Sequence, residues 1–337
     1  MVTIRDVAAE AGVSITTVSR ALNESGRIGT ATRQRVADAA DRLGYQPNDI
    51  ARSLQGKATG TIAVLVPDIT NPFFPELVKG IQDVANENGR LLLLCQTSQD
   101  VDTTVQELLH LRRKRVDGVV LVGGLAASAD IARAAGGMPL VTVDRDAAVD
   151  SVATVRSDHR RGGRLATEHL IELGHERIAH IRGPVALSVA QDRHDGYRQA
   201  LDDADLAYDE TLVVEGDFLE ASGHAALMAL RRRRRTFTAV FCGNDLMAIG
   251  AIHALDEVGL DVPGDVSVVG FDDIHLASFV RPALTTVHQP IQQLGRRAAD
   301  LLLAAIRGEA PLTSELLDVH LVRRGTTAPR RTRGRRG

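Results

Sequence analysis

Eight residues far apart in the chain could together hold a neutral, hydroxyl-rich molecule: Phe73, Phe74, Asp144, Asp158, Arg193, Phe218, Asn244 and Asp272. Carboxylates and an amide take paired hydrogen bonds from vicinal hydroxyls, an arginine donates through a fixed fork, and phenylalanine rings cover the apolar face of a sugar. Asp144 and the neighbouring Asp245 admit a plainer reading as caps of the helices that follow them. A second set, Ile15, Thr16, Thr17, Ser19 and Arg20, is short, polar and cationic. Its chemistry suits the edges of base pairs: a guanidinium forks onto guanine O6 and N7, and an isoleucine packs on a thymine methyl. Catalytic chemistry has no comparable set. His159, His169, His175, His180, His253 and His275 are scattered, with no histidine pair on one helix face beside a carboxylate. Neither a catalytic residue, a metal site nor a cofactor is therefore expected, and no Gly-x-Gly-x-x-Gly follows the first apolar run to hold a dinucleotide.

The elements that must position these residues are legible in the hydrophobic pattern. Thr3 and Asp6 have the spacing of a capping box, which starts a first helix at Ile4 that Gly12 ends. Ser14 caps a second helix from Ile15 to Leu22, and a third, near Ala31 to Leu43, stops at Gly44. Two short helices with about three residues between them have helix-turn-helix spacing. Ile4, Val7, Ala8, Val13, Val18, Leu22, Val36, Ala40 and Leu43 form the inward set, which leaves the cationic set above on the outside of helix two.

Beyond Gly60, apolar runs alternate with amphipathic stretches of helical length. The runs are Ile62 to Val66, Leu91 to Cys95, Gly118 to Val122, Leu140 to Val143, Val152 to Val155, Ile178 to Ile181, Ala239 to Cys242 and Val266 to Val269. Buried parallel strands with helices between them, an α/β fold in two lobes, are expected. Ligands collect at the carboxyl ends of such strands, and the effector-type residues follow these runs. Cys95 and Cys242 lie inside runs and read as small buried hydrophobes without a disulfide.

Charge is segregated along the chain. Lys and Arg outnumber Asp and Glu 8 to 6 in residues 1 to 60 and 7 to 0 in residues 319 to 337, while residues 61 to 318 carry 25 against 37. Basic ends around an acidic body suit a protein that meets phosphates with its ends. The start is polar at once and no apolar run approaches the ~20 residues of a membrane span, so a cytoplasmic protein without membrane contact is expected.

Three segments, Val13-Ser14-Ile15-Thr16-Thr17-Val18-Ser19-Arg20-Ala21-Leu22-Asn23, Leu43-Gly44-Tyr45-Gln46-Pro47-Asn48 and Ala51-Arg52-Ser53-Leu54, resemble the lactose and galactose repressor (LacI/GalR) family. The resemblance covers the chain to Leu321. It implies base contacts from Ile15, Thr16 and Arg20 and phosphate contacts from Thr17, Ser19 and Asn23. It also implies a hinge helix from Asn48 to Gln55, with Asn48 among the DNA-binding residues and Leu54 wedged into the minor groove of an operator. Phe73, Arg193, Phe218, Asn244 and Asp272 match effector contacts. The expected protein is a homodimeric repressor of double-stranded operator DNA switched by a sugar-like effector, with a periplasmic-binding-protein-like core.

The expected division is a helix-turn-helix domain over 1–46, hinge and linker over 47–60, a core over 61–320 and a basic tail without fixed structure over 321–337. Within the core, lobe one takes 61–157 and 289–320 and lobe two 158–288, with three crossings implied by the resemblance. One departure narrows the effector. Where the purine-binding branch places an arginine and a threonine, this chain aligns Leu187 and Val189. A purine corepressor is disfavoured, while the apolar loop leaves open a sugar with a deoxy or hydrophobic part or a nucleoside-like molecule. A sugar-binding transport component and an enzyme are the rival readings. The tail carries no sustained apolar heptad for a tetramerising bundle, and Arg231 to Arg235 reads as the solvated end of a helix.

Overall fold

The computed structural model describes residues 2–22, 26–45, 59–98, 100–124, 129–144, 152–233, 236–309 and 313–330. They fall into two units, one ending at Thr59 and one beginning at Gly60. Asn23, Asn48 and Leu54, with the Asn48–Gln55 hinge helix, lie outside the described residues.

The first unit holds three helices, α1 (Ile4–Ala11), α2 (Ile15–Leu22) and α3 (Thr30–Leu43). The Asp6 carboxylate accepts both the Thr3 N–H and its hydroxyl, each at 2.8 Å. These hydrogen bonds hold the Asp6 carboxyl below the usual carboxylate range. Gly12 then turns the chain out of α1 in the left-handed region, φ 64°, and Ser14 Oγ accepts the Thr17 N–H at the head of α2. Val7, Ala8, Ala11, Val18, Ala21, Val36, Ala39 and Ala40 are buried together, with Ile4, Val13, Leu22 and Leu43 packed around them.

The second unit contains two six-stranded sheets, ordered β11-β5-β4-β3-β1-β2 and β12-β10-β9-β8-β6-β7. The first comprises β1 (Thr61–Val66), β2 (Leu91–Gln96), β3 (Gly118–Val122), β4 (Leu140–Val143), β5 (Ala153–Ser157) and β11 (Glu315–Leu317). The second comprises β6 (Ile178–Arg182), β7 (Val213–Glu215), β8 (Ala239–Cys242), β9 (Ser267–Asp272), β10 (Thr285–His288) and β12 (His320–Val322). Only β12 runs antiparallel among these pairings, beside β10. All eight apolar runs are strands. β7, β10, β11 and β12 escaped the reading: β7, β11 and β12 are three residues long with none of them buried, and three of the four residues of β10 are polar. Cys95 lies on β2 and Cys242 on β8, both free thiols.

Helices α4 (Phe73–Glu87), α5 (Val101–Arg113), α6 (Ala129–Ala135) and α11 (Ile291–Ile306) flank the first sheet; α7 (His159–Glu172), α8 (Ser188–Asp203), α9 (Glu220–Arg232) and α10 (Asp245–Glu257) flank the second. The chain passes between sheets after Ser157, after His288 and after Leu317. The segment returning to the first sheet thus ends at Leu317, not at 320, and residues 321–330 are not a free tail. Thr326 is fully buried, its hydroxyl donating to the Val268 carbonyl at 2.6 Å. Further along, the His175 ring reaches the Ala328 carbonyl, and Arg330 N donates to the Leu173 carbonyl. Arg-, Thr- and Pro-rich composition reads as unstructured because those partners lie 58 to 157 residues away.

One packing device recurs three times. Helices α4 and α11 cross at Gly80 and Gly295, α7 and α8 at Gly163 and Gly196, and α9 and α10 at Gly223 and Gly250. At each glycine a Cβ would lie 1.9–2.1 Å from a carbonyl oxygen three residues before the partner glycine. Backbone-to-backbone contact of this kind admits no side chain, and it sets how closely each helix pair packs on its sheet.

Candidate functional site: the cleft between the two sheets

A cleft of about 510 Å³, counting its open mouth, lies between the two lobes. Its walls come from the carboxyl ends of strands and from the loops and helices that follow them. Pro67, Asn71, Phe73 and Phe74 follow β1; Val122 ends β3 before Gly123 and Gly124; Asp144 follows β4. The opposite wall has Leu187, Val189 and Arg193 after β6, Phe218 after β7, Asn244 after β8 and Asp272 at the end of β9.

Arg193 is the centre of the polar network. It is buried, stacks 3.8 Å above the Phe271 ring, donates Nη1 to the Gly243 carbonyl at 2.5 Å and stands 3.5 Å from Asp272 Oδ1. Its Nε–H points to His159 Nδ1 at 3.3 Å, so that nitrogen accepts and the ring proton sits on Nε2, which donates to Asp144 Oδ1 at 2.9 Å. Burial holds His159 in its neutral form against the pull of Asp144. Asp144 also accepts the Ser157 N–H, and despite burial these partners hold its carboxyl below the ordinary value. A relay therefore runs from Asp144 through His159 to Arg193.

Asp272 behaves differently. Burial raises its carboxyl from 3.8 to about 7, against the pull of Arg193 and of a 2.7 Å hydrogen bond from Gln289 Nε2. Asp245, fully buried behind it, is also raised by burial and by Asp272. One arginine faces three buried carboxylates, and the two not held by His159 keep protons to higher pH. An acid whose folded pKa lies above its unfolded value stabilises most below the unfolded value and loses that contribution as pH rises through the folded one. Histidines lowered by burial, such as His180 and His194, run in the opposite direction. The difference in unfolding free energy between the parent chain and Asp272→Asn is therefore expected to change between about pH 4 and pH 7, with the parent losing its advantage as pH rises. Urea melts across that range check it; a flat difference would rule out the raised carboxyl.

Asn244 caps α10, its Oδ1 accepting the Met247 N–H at 3.0 Å, and its Nδ2 donates to the Phe218 carbonyl at 3.0 Å. One amide proton and one lone pair are left for a ligand. The cap is Asn244 and not Asp245, whose oxygens take the Ile274 N–H and the Thr286 hydroxyl. Three wall residues, Asp144, Phe218 and Asp272, hold positive φ of 48°, 72° and 109°. Backbone strain carried by non-glycine residues clusters where side chains must be aimed. Gly183 leaves room for the Phe218 ring, which would lie 2.1 Å from a Cβ there.

Seven of the eight residues read from the sequence share this cleft. Asp158 does not: its carboxylate accepts the Arg161 N–H at the head of α7. Asn71, Gly123 and Gly124 were within reach of the strand-end rule, but glycines carry no side chain to attract it. His159, read as a structural histidine, orients Arg193 from outside the wall.

In the first unit α2 presents Ile15, Thr16 and Arg20 to solvent, while Thr17 and Ser19 are half-buried. The Thr17 hydroxyl meets Ser14 Oγ at 2.8 Å, and a Cβ added at Gly26 would touch the Arg20 stem at 3.5 Å.

Comparison with known proteins agrees in both units. Residues 3–48 match the bacterial regulatory proteins of the lacI family, and residues 59–333 match the periplasmic binding proteins and sugar-binding domain of the LacI family. The chain belongs to the LacI family of transcriptional regulators. A ribose operon repressor of Halalkalibacterium halodurans is 38% identical over 329 residues, 97% of each chain. The lac repressor dimer bound to operator and the anti-inducer ONPF superposes with a TM-score of 0.88 at 32% identity, covering 97% of this chain and 99% of that one. The regulator CelR in complex with cellobiose gives 0.75 at 37% identity, covering 97% and 100%. As a LacI-family member the chain is a regulator and not an enzyme, with a small helical DNA-binding unit and two α/β lobes. No helix among the described residues is long and apolar enough to cross a membrane.

Proposed function

We propose that this LacI-family chain is a cytoplasmic repressor that binds a pseudo-palindromic operator as a homodimer and is switched by a sugar or related hydroxyl-rich metabolite held between its lobes. The observation that carries this reading is Arg193, buried at the strand ends beside Asp272 and linked through His159 to Asp144. A guanidinium fork and carboxyls that can accept or donate suit vicinal hydroxyls, and Phe73, Phe74 and Phe218 suit the apolar face of a sugar ring. Leu187 and Val189 on the same wall favour a ligand with an apolar part over a purine. Relatives whose names include ribose and cellobiose support the sugar class.

The site residues divide by role. Ile15, Thr16 and Arg20 read base edges, Thr17, Ser19 and Asn23 fix phosphates, and the Asn48–Gln55 hinge brings Leu54 to the operator centre. A two-fold dimer requires a two-fold site, and the ligand acts as a switch only through different affinity for two lobe arrangements. Thermal-shift screening against sugars, sugar phosphates and nucleosides tests the ligand class, since a bound effector stabilises by mass action. Stabilisation by a sugar that also changes operator affinity supports the reading; a panel in which only charged or purine ligands bind overturns it.

Arg20→Ala is expected to weaken operator binding by about 1–3 kcal/mol and relax specificity at one base pair while leaving effector affinity unchanged. Fluorescence anisotropy on operator variants measures the first and calorimetry the second. Loss of effector binding in this variant would refute the separation of roles.

A further inference from the structure

The second lobe holds a cluster of side chains outside the cleft. His224 on α9 and His253 and Glu257 on α10 bring one ligand atom each to within 4.8 Å of one another. Both imidazoles turn Nε2 toward the same carboxylate, His224 to Oε2 at 2.8 Å and His253 to Oε1 at 3.7 Å, and their ring centres are 5.6 Å apart. We propose that His224, His253 and Glu257 form a binding site for a divalent transition-metal ion of the zinc class, clamping α9 to α10.

The fold explains why these residues meet. His224 follows Gly223 and His253 lies three residues after Gly250, the two glycines at which α9 and α10 touch backbone to backbone. His253 and Glu257 are four apart on one helix face, the spacing that presents two ligands to one ion. Two imidazoles and one carboxylate are a frequent donor set for zinc, which takes a fourth ligand from water when the site is open. Openness fits the exposure: the side chains of His224, His253 and Glu257 retain 32%, 68% and 45% of their accessible surface. Searching the sequence for a histidine pair on one helix could not find a cluster assembled from two helices.

The site has a mechanical consequence. Phe218 lies just before α9 and Asn244 caps α10, so both helices begin at the cleft wall. An ion fixing one helix to the other holds those two wall residues in register.

The test uses the full chain stripped of metal, titrated with Co²⁺ for its visible d–d absorption and with Zn²⁺ by calorimetry. One equivalent per chain is expected, with a rise in Tm of several degrees. His253→Ala, at an exposed position, is expected to weaken binding on the order of 100-fold with an unchanged circular dichroism spectrum. His288→Ala, beside the separate His288–His320 ring pair, is expected to leave it unchanged. The proposal is overturned if no equivalent binds, if His253→Ala binds as tightly as the parent, or if His288→Ala abolishes binding. In the first case the cluster is only a hydrogen-bonded histidine–glutamate pair.

Discussion

Arg193→Met is expected to lower affinity for the effector by about 100-fold or more while operator affinity without effector stays within about twofold of the parent. The guanidinium offers a ligand charge-assisted hydrogen bonds, each worth about 1.5–3 kcal/mol. Its removal also strips the partner from Asp272 and breaks the relay from Asp144 through His159. A buried charge left without its partner costs about 3–5 kcal/mol, although Asp272 softens that cost by taking a proton. The core is therefore expected to unfold at lower urea concentration, and more so at neutral pH than at pH 5. Arg193→Lys separates charge from geometry: the ammonium keeps the positive charge but cannot reach Gly243, His159 and Asp272 as one planar fork. It is expected to recover part of the stability and little of the effector affinity. Calorimetry with the sugar identified by thermal shift, together with urea melts and operator anisotropy, distinguishes these outcomes. Retention of full effector affinity in Arg193→Met would remove the cleft from the proposed function.

The second large effect is expected at a residue that touches no ligand. In Gly163→Ala the new methyl would lie 2.1 Å from the carbonyl oxygen of Arg193, at the crossing of α7 and α8. Backbone cannot rotate away as a side chain can, so the helices must separate. Overpacking commonly costs 1–3 kcal/mol, and a clash with backbone on a paired helix is expected at about 3 kcal/mol or more. Because the displaced carbonyl belongs to Arg193, the same change is expected to weaken effector binding. Gly259→Ala provides the contrast: it has φ +71° but nothing within 4 Å, and the left-handed conformation alone costs about 1–2 kcal/mol. Chemical denaturation of both variants checks the ranking; equal losses would show that the α7–α8 contact yields readily.

What could be read from residue order follows from local physics. Capping at Thr3 and Ser14, termination at Gly12 and Gly44, and the inward set around Val7 and Val18 depend on neighbours within a few positions, so α1, α2 and their exposed face were legible. Long buried strands announce themselves as apolar runs, and seven of the eight residues that the strand-end rule then singled out line the cleft. Short strands such as β7, β11 and β12 bury too little to leave that mark.

Partnership was decided only in three dimensions. Asp158 and Asp144 are both aspartates just past a strand, yet one caps α7 and the other faces the cleft, because the lobes close on only one of them. His159 looks like any core histidine until folding sets it between Asp144 and Arg193. The raised carboxyl of Asp272, the ordered segment around Thr326 and the meeting of His224 with His253 likewise depend on contacts between residues about 30 to 80 positions apart or more. Propensity and periodicity act over a turn of helix or a pair of strand residues, whereas charge, burial and hydrogen-bond partnership act through space. The sequence alone therefore determined the helices of the first unit, the eight strands written as apolar runs and the surface α2 presents, and the tertiary structure decided the short strands and which polar groups these elements bring together.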